Sequence, residues 1–129
     1  MKLFAHWLAR YKDIRQLHAG KHVYVCHTNT DTVIAKVVVG DYPHLLHKEL
    51  ANAGVTVPLT APMAQFLGNV QLLEMQYLRP VDGWIALSHF DGDWDTVTQL
   101  CEDALDRLHQ CLDSSAVHGD LRPPNIMVR

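Results

Sequence analysis

Residues 118–129 read His118-Gly119-Asp120-Leu121-Arg122-Pro123-Pro124-Asn125-Ile126-Met127-Val128-Arg129. An acid and an amide stand five positions apart, a histidine lies two before the acid, and an apolar Ile-Met-Val run follows directly. A carboxylate accepts a proton, and a side-chain amide oxygen holds a hard cation. One short loop brings the two to a common point. Without that chemistry the same residues make a Pro-containing turn that closes one helix and opens a strand.

Upstream of this stretch, Ser114-Ser115 ends a long helix predicted from about Trp94 to Leu112. Its apolar stripe is Val97, Leu100, Cys101, Ala104, Leu105, Leu108 and Leu112, recurring at helical spacing. Asp93 or Asp95 caps its start and faces the positive end of its dipole. Arg79 to Gly83 reads as a loop, Val70 to Leu78 as a strand, and Phe66 to Val70 as a strand ending in a Gly-Asn turn. Val57-Pro58-Leu59 and Ala61-Pro62 mark a connection. Leu45, Leu46, Leu50 and Ala53 recur as the inner face of a helix, with Pro43 in its first turn and Gly54 as its stop. Thr32–Val39 is rich in β-branched residues and pairs with Val23–His27 as a hairpin around Asn29-Thr30-Asp31. Leu3 to Leu8 reads as a short helix. The order predicts an α+β fold.

His118, Asp120 and Asn125 in this order resemble the catalytic loop of the protein kinase-like fold. Gly119 between His and Asp is closer to the aminoglycoside and choline kinase branch and to fungal kinase-like proteins than to standard protein kinases. The resemblance implies a kinase-like small lobe, an antiparallel sheet plus a helix, with a hinge and the first large-lobe helix. It divides a single partial domain, residues 1–129, into small lobe and hinge (1–78) and the start of the large lobe (79–129). ATP and Mg2+ are implied with it. Asp120 is then the catalytic base toward an unknown hydroxyl acceptor, Asn125 a magnesium ligand, and His118 a buttress of the loop. Arg122 stands where many kinases carry a lysine near the γ-phosphate.

The same resemblance assigns the upstream residues. Lys36, in Val33-Ile34-Ala35-Lys36, resembles the lysine that contacts the α- and β-phosphates. A lysine that blunts an edge strand is the plainer alternative. Glu49, thirteen residues on, is the candidate partner of Lys36. Glu74-Met75-Gln76-Tyr77-Leu78 resembles the hinge, with Met75 at the back of the pocket and the Gln76 carbonyl and Leu78 amide facing adenine. No Gly-x-Gly-x-x-Gly occurs among the seven glycines, and Ala19-Gly20-Lys21 is the turn in its place.

The 129 residues suffice for one modest domain. A net charge of -3 without a basic cluster argues against broad nucleic-acid binding. Lys2, His6 and Arg10 interrupt the apolar start, so neither a signal peptide nor a membrane span is expected. Three cysteines, with Cys101 and Cys111 almost three helical turns apart, point to reduced thiols and a cytoplasmic or nuclear setting. The nine histidines are scattered without metal-ligand spacing, and His44 and His47 are expected to face solvent.

In the family, a strand beyond the catalytic loop leads to an Asp that grips magnesium, and this sequence stops at Arg129 before it. The expectation is an ATP-binding phosphotransferase in full-length form that transfers little phosphate as this chain alone. The alternative is a catalytically inactive, pseudokinase-like fragment acting as a binding module. In the family the apolar stripe of the 94–112 helix packs on large-lobe helices, so self-association through it is expected here. Sedimentation across a concentration series checks this: Leu105→Glu and Leu112→Glu should each shift the protein toward monomer.

Overall fold

The structure, a computed structural model, describes residues 9–17, 19–111 and 126–129. The expected Leu3 to Leu8 helix lies outside them. Nine elements are used below: β1 (Asp13–Gln16), β2 (Val23–His27), β3 (Thr32–Val39), α1 (His44–Asn52), β4 (Ala64–Phe66), β5 (Val70–Gln76), β6 (Ile85–Ala86), α2 (Trp94–His109) and β7 (Met127–Val128). Five strands form one antiparallel sheet in the order β1-β2-β3-β5-β4. β6 and β7 form a separate two-stranded ribbon.

The β2–β3 hairpin has the predicted bounds. Its turn is closed by the Thr28 amide on the Asp31 carbonyl, 2.8 Å, while the Thr28 hydroxyl accepts from the Asp31 amide at 3.0 Å. Consecutive residues are buried in the central strands: Val25 and Cys26, Val33 to Ala35, and Gln71 to Glu74. Side chains alternate between faces along a strand, so both faces of the sheet are covered at its middle.

Register sorts the faces. Ala35 stands opposite Tyr24 and Glu74, and Leu72 opposite Val37 and Ala64. This outer face holds the cluster of Tyr11, Cys26, Val33, Ala35 and Leu72, with Tyr24, Val37, Ala64 and Phe66 packed against it. The inner face carries Val25, Ile34 and Met75 in one row and Val23, Lys36 and Leu73 in the next.

β1 was not expected from the sequence. Its four residues, Asp-Ile-Arg-Gln, are all exposed, so no apolar alternation marks it. It is an edge strand recognisable only through its pairing with β2, and its charges suit an edge. The Ala19–Lys21 turn does join β1 to β2: Gly20 has a φ of 77°, and the Gln16 side-chain Nε2 donates to the Lys21 carbonyl at 2.8 Å. β4 ends at Phe66, before the predicted Phe66–Val70 strand begins in earnest. Gly68 and Asn69 both take positive φ, 77° and 56°, which serves a tight turn and not a strand. β5 stops at Gln76, two residues short of the expected end.

α1 ends as predicted. Gly54 at φ 75° donates to Ala51, and Val55 donates to Leu50 at 2.9 Å, the paired bonds of a Schellman stop. Its inner face differs from the expected one. Leu45 is 64% exposed, Leu46 and Leu50 are half-buried, and the buried residue is His47. Pro43 flanks the helix and does not sit inside its first turn.

α2 starts at the expected cap. The Asp93 carboxylate accepts from the Asp95 amide at 3.1 Å and from the Thr96 hydroxyl. Val97 and Leu108 of its stripe are buried, Cys101, Ala104 and Leu105 are half-buried, and Leu100 is exposed. The stripe is therefore covered along its centre and open at one edge. Arg107 donates to the Ala53 carbonyl at 3.4 Å, joining the end of α2 to the end of α1. All three cysteines are free. Among the described residues no helix is long and apolar enough to cross a membrane.

The Thr96 hydroxyl, then the Asp95 amide, hold the Asp93 carboxyl below its ordinary value of 3.8. A group with a depressed folded pKa stabilises the fold above its unfolded pKa and loses that contribution as pH falls through the folded one. Asp93→Ala should therefore lower stability by a constant amount above about pH 5, and the difference from wild type should shrink toward about pH 3. Urea unfolding followed by circular dichroism across that range checks both the size and the sign.

Candidate functional site

Lys36 is exposed at the middle of β3, on the inner face of the sheet, opposite Val23 on one side and Leu73 on the other. Two residues along, Ile34 stands between Val25 and Met75. One flexible cation thus lies beside an apolar row of three side chains from three strands. Met75 is half-buried, at the end of β5 where the chain leaves the sheet.

The edge of β5 beyond Met75 is partly occupied. The Gln76 amide donates to the Pro58 carbonyl at 3.1 Å, and the Thr60 amide donates to the Glu74 carbonyl at 2.9 Å, around a bridge between Leu59 and Met75. Strand geometry turns the Gln76 carbonyl to the same edge, opposite Pro58. Proline has no N–H to return, so this ladder offers the Gln76 carbonyl no donor. Leu78 is half-buried, just past the strand. The chain then turns at Pro80–Asp82, where Arg79 grips Asp82 through two bonds of 2.8 and 3.1 Å. Both groups are exposed. That contact holds the Asp82 carboxyl below its usual range.

Asp120, Arg122 and Asn125, with His118, lie outside the described residues. The residues after them are tied to the segment following this turn. The Leu87 amide donates to the Ile126 carbonyl at 2.7 Å, β7 pairs with β6, and the Arg129 guanidinium lies over the Trp84 ring at 4.9 Å. Ile126, the neighbour of Asn125, is therefore anchored a short distance in sequence beyond the hinge-like strand.

Glu49 is not brought to Lys36. Among the described residues the ion pairs are Arg10–Glu74 and Arg79–Asp82. His47 is buried between two partners: its Nε2 donates to the Val57 carbonyl at 2.8 Å, and its Nδ1 meets the Tyr42 hydroxyl at 2.7 Å. A carbonyl only accepts, so Nε2 carries the hydrogen. Pinning His47 inward sets the helix, and Glu49, two residues on, sits about 200° around it. The expectation that His47 faces solvent is thereby corrected. A histidine three residues into a short helix has no sequence mark that separates a buried, bonded ring from an exposed one.

The sequence also left Glu74 without a role of its own. Its side chain points to the outer face, away from Met75, and is buried. The Tyr11 hydroxyl donates to Oε2 at 2.6 Å, the Thr60 hydroxyl to Oε1 at 2.8 Å, and Arg10 approaches Oε2 at 3.3 Å. Burial, then the bond to Glu74, push the Tyr11 hydroxyl far above its ordinary pKa. Burial, with Glu74 second, pushes the Cys26 thiol up to about 11. A single charged residue inside a strand with an apolar centre was the available signal. A polar depression of about 370 Å³ lined by Arg10, Thr28, Asn29, Thr30 and Glu74 opens beside it, and it holds none of the residues predicted from the motifs.

No family model matches the chain, and no curated protein matches it. Among solved structures it is similar to the Cydia pomonella granulovirus kinase PK-1, with a TM-score of 0.69 and 20% sequence identity. The alignment covers 96% of this chain and 48% of that one, so the chain spans about half the length of that kinase. The fold is thus kinase-like: a five-stranded antiparallel sheet with helices, matching a kinase small lobe.

His47→Leu keeps volume but leaves the Val57 carbonyl and the Tyr42 hydroxyl, both on half-buried residues, without their partner. The change should cost about 1–3 kcal/mol of stability in denaturant unfolding, and His47→Gln should cost less, because an amide restores one donor.

Proposed function

We propose that the chain is the nucleotide-binding portion of a phosphotransferase of the kinase-like fold, one that moves the γ-phosphate of ATP to a hydroxyl. The observation that carries this reading is the inner sheet face. Lys36 projects beside the apolar Val25–Ile34–Met75 row, in a sheet of kinase small-lobe topology. An adenine ring suits the half-buried Met75 at the end of the apolar row, and a triphosphate suits the exposed ammonium of Lys36 in the next row. The backbone of Gln76 and Leu78 supplies the polar edge for adenine. The carbonyl that Pro58 leaves without a ladder donor supports this part of the reading.

In this reading Asp120 takes the proton from the acceptor hydroxyl as the phosphoryl group arrives, and Arg122 faces the γ-phosphate. Asn125 is the residue assigned to Mg2+, which when bound neutralises charge on the phosphates. The tether of Ile126 to Leu87 supports a loop held near the end of the hinge-like strand. Glu49 has no part in it, and Lys36 works without that partner. Gly119, between His118 and Asp120, favours the aminoglycoside and choline kinase branch over standard protein kinases. Residues 1–78 then serve as small lobe and hinge, and 79–129 as the start of the large lobe.

Lys36→Ala should weaken ATP roughly ten-fold, about 1.4 kcal/mol, and leave adenosine unchanged, since only the phosphates lose a partner. Calorimetric titration of both ligands tests it. Equal weakening of the two, or none, counts against the reading.

A further inference from the structure

Two segments that are distant in sequence converge on one residue of β5. Glu74 accepts from Tyr11 at 2.6 Å and from the Thr60 side chain at 2.8 Å, and it pairs with Arg10 at 3.3 Å. Its backbone carbonyl takes the Thr60 amide at 2.9 Å, and two residues later the Gln76 amide reaches Pro58 at 3.1 Å. The 58–60 segment is held in turn from α1, because His47 donates to the carbonyl of Val57, the residue before Pro58. A continuous line of bonds therefore runs from α1 through Val57–Thr60 to Glu74 and ends on Arg10 and Tyr11.

Met75 and Gln76 lie at the point where this line crosses the sheet. Glu74 immediately precedes Met75, and its side chain takes the opposite face. A carboxylate held by two hydroxyl donors and an ion pair fixes the orientation of its own peptide units, because the strand cannot rotate without breaking charge-assisted bonds. The next residues in the strand inherit that orientation. A buried carboxylate is otherwise an expensive way to fill the outer face of a sheet, and an apolar side chain would have packed there with the cluster of Tyr11, Cys26 and Ala35.

We infer that Glu74, clamped by Tyr11, Thr60 and Arg10, is a positioning residue for the adenine edge of β5, so that the Arg10–Tyr11 segment supports the nucleotide site from the far face of the sheet. The inference rests on the nucleotide reading of the inner face. It makes adenine recognition, and not phosphate recognition, depend on an N-terminal segment that never touches the nucleotide.

The experiment titrates adenosine and ATP into the full chain carrying Tyr11→Phe, Thr60→Val or Lys36→Ala, and follows hydrogen exchange at the Gln76 amide. Val97→Ala, a buried change in α2, controls for lost stability. Tyr11→Phe and Thr60→Val should each weaken adenosine and ATP by one common factor, roughly three- to ten-fold, and speed exchange at Gln76. Val97→Ala should leave adenosine affinity and that exchange unchanged. If Tyr11→Phe and Thr60→Val lower stability yet leave adenosine affinity and Gln76 exchange as in wild type, the clamp is structural only and the inference falls. In that case Lys36→Ala still weakening ATP alone leaves the phosphotransferase reading standing. Should wild type bind neither ligand, both fall together.

Discussion

The Glu74 carboxylate is the constraint on which the arrangement of this fold depends. An ionised group taken out of water costs several kcal/mol unless its oxygens are filled by donors. Hydrogen bonds to a charged group return about 1.5–3 kcal/mol each, so the Tyr11 and Thr60 hydroxyls, with the Arg10 guanidinium paired at 3.3 Å, offset that cost. The donors come from residues 10, 11 and 60. Burying this one acid therefore obliges the N-terminal segment to cross the outer face and the 58–60 segment to run along the edge of β5. Cys26 and Tyr11 feel the same charge: both are held in their neutral forms chiefly by burial, with Glu74 adding to it.

The inner face differs from this outer one in carrying an exposed cation beside buried apolar side chains. Alternation along β3 puts Val33, Ala35 and Val37 into the outer cluster and leaves Ile34, Lys36 and Val38 on the other side. A single shift in register would exchange the two sets and bury the lysine under Tyr11. The register of β3 is held against β2 by the Thr28–Asp31 turn, and against β5 the ladder is extended by the Gly40 amide on the Asn69 carbonyl at 2.9 Å. Turn chemistry, not the lysine itself, thus decides which face the cation occupies.

α1 is set by a polar contact as well. Its leucines are no more than half-buried, and His47 bonded at both ring nitrogens is its only buried residue. Among the described residues Glu49 forms no ion pair with Lys36. His47 also links the helix to the connection that leads to β4 and β5, while Arg107 on α2 holds the helix from its C-terminal end. A helix placed by two polar tethers answers to rotation about its axis more sharply than one placed by a broad apolar face, because a hydrogen bond is directional and hydrophobic contact is not.

By itself the sequence determined the elements that announce themselves locally. The β2–β3 hairpin follows from β-branched residues around a polar turn, the stop of α1 from Gly54, and the start of α2 from Asp93, and each is decided within a few neighbouring residues. The motif from His118 to Asn125 and the Val-Ile-Ala-Lys strand pointed to the kinase-like fold that the solved viral kinase shares. The tertiary structure alone decided what depends on partners far along the chain. β1 exists because β2 offers it an edge, since its own polar residues carry no strand pattern. His47 is buried because Tyr42 and Val57 meet it. Glu74 became the centre of the outer face because Tyr11, 63 residues away in sequence, reaches it. Local propensity is written in adjacent residues, whereas the burial of a polar group depends on donors brought together only by folding.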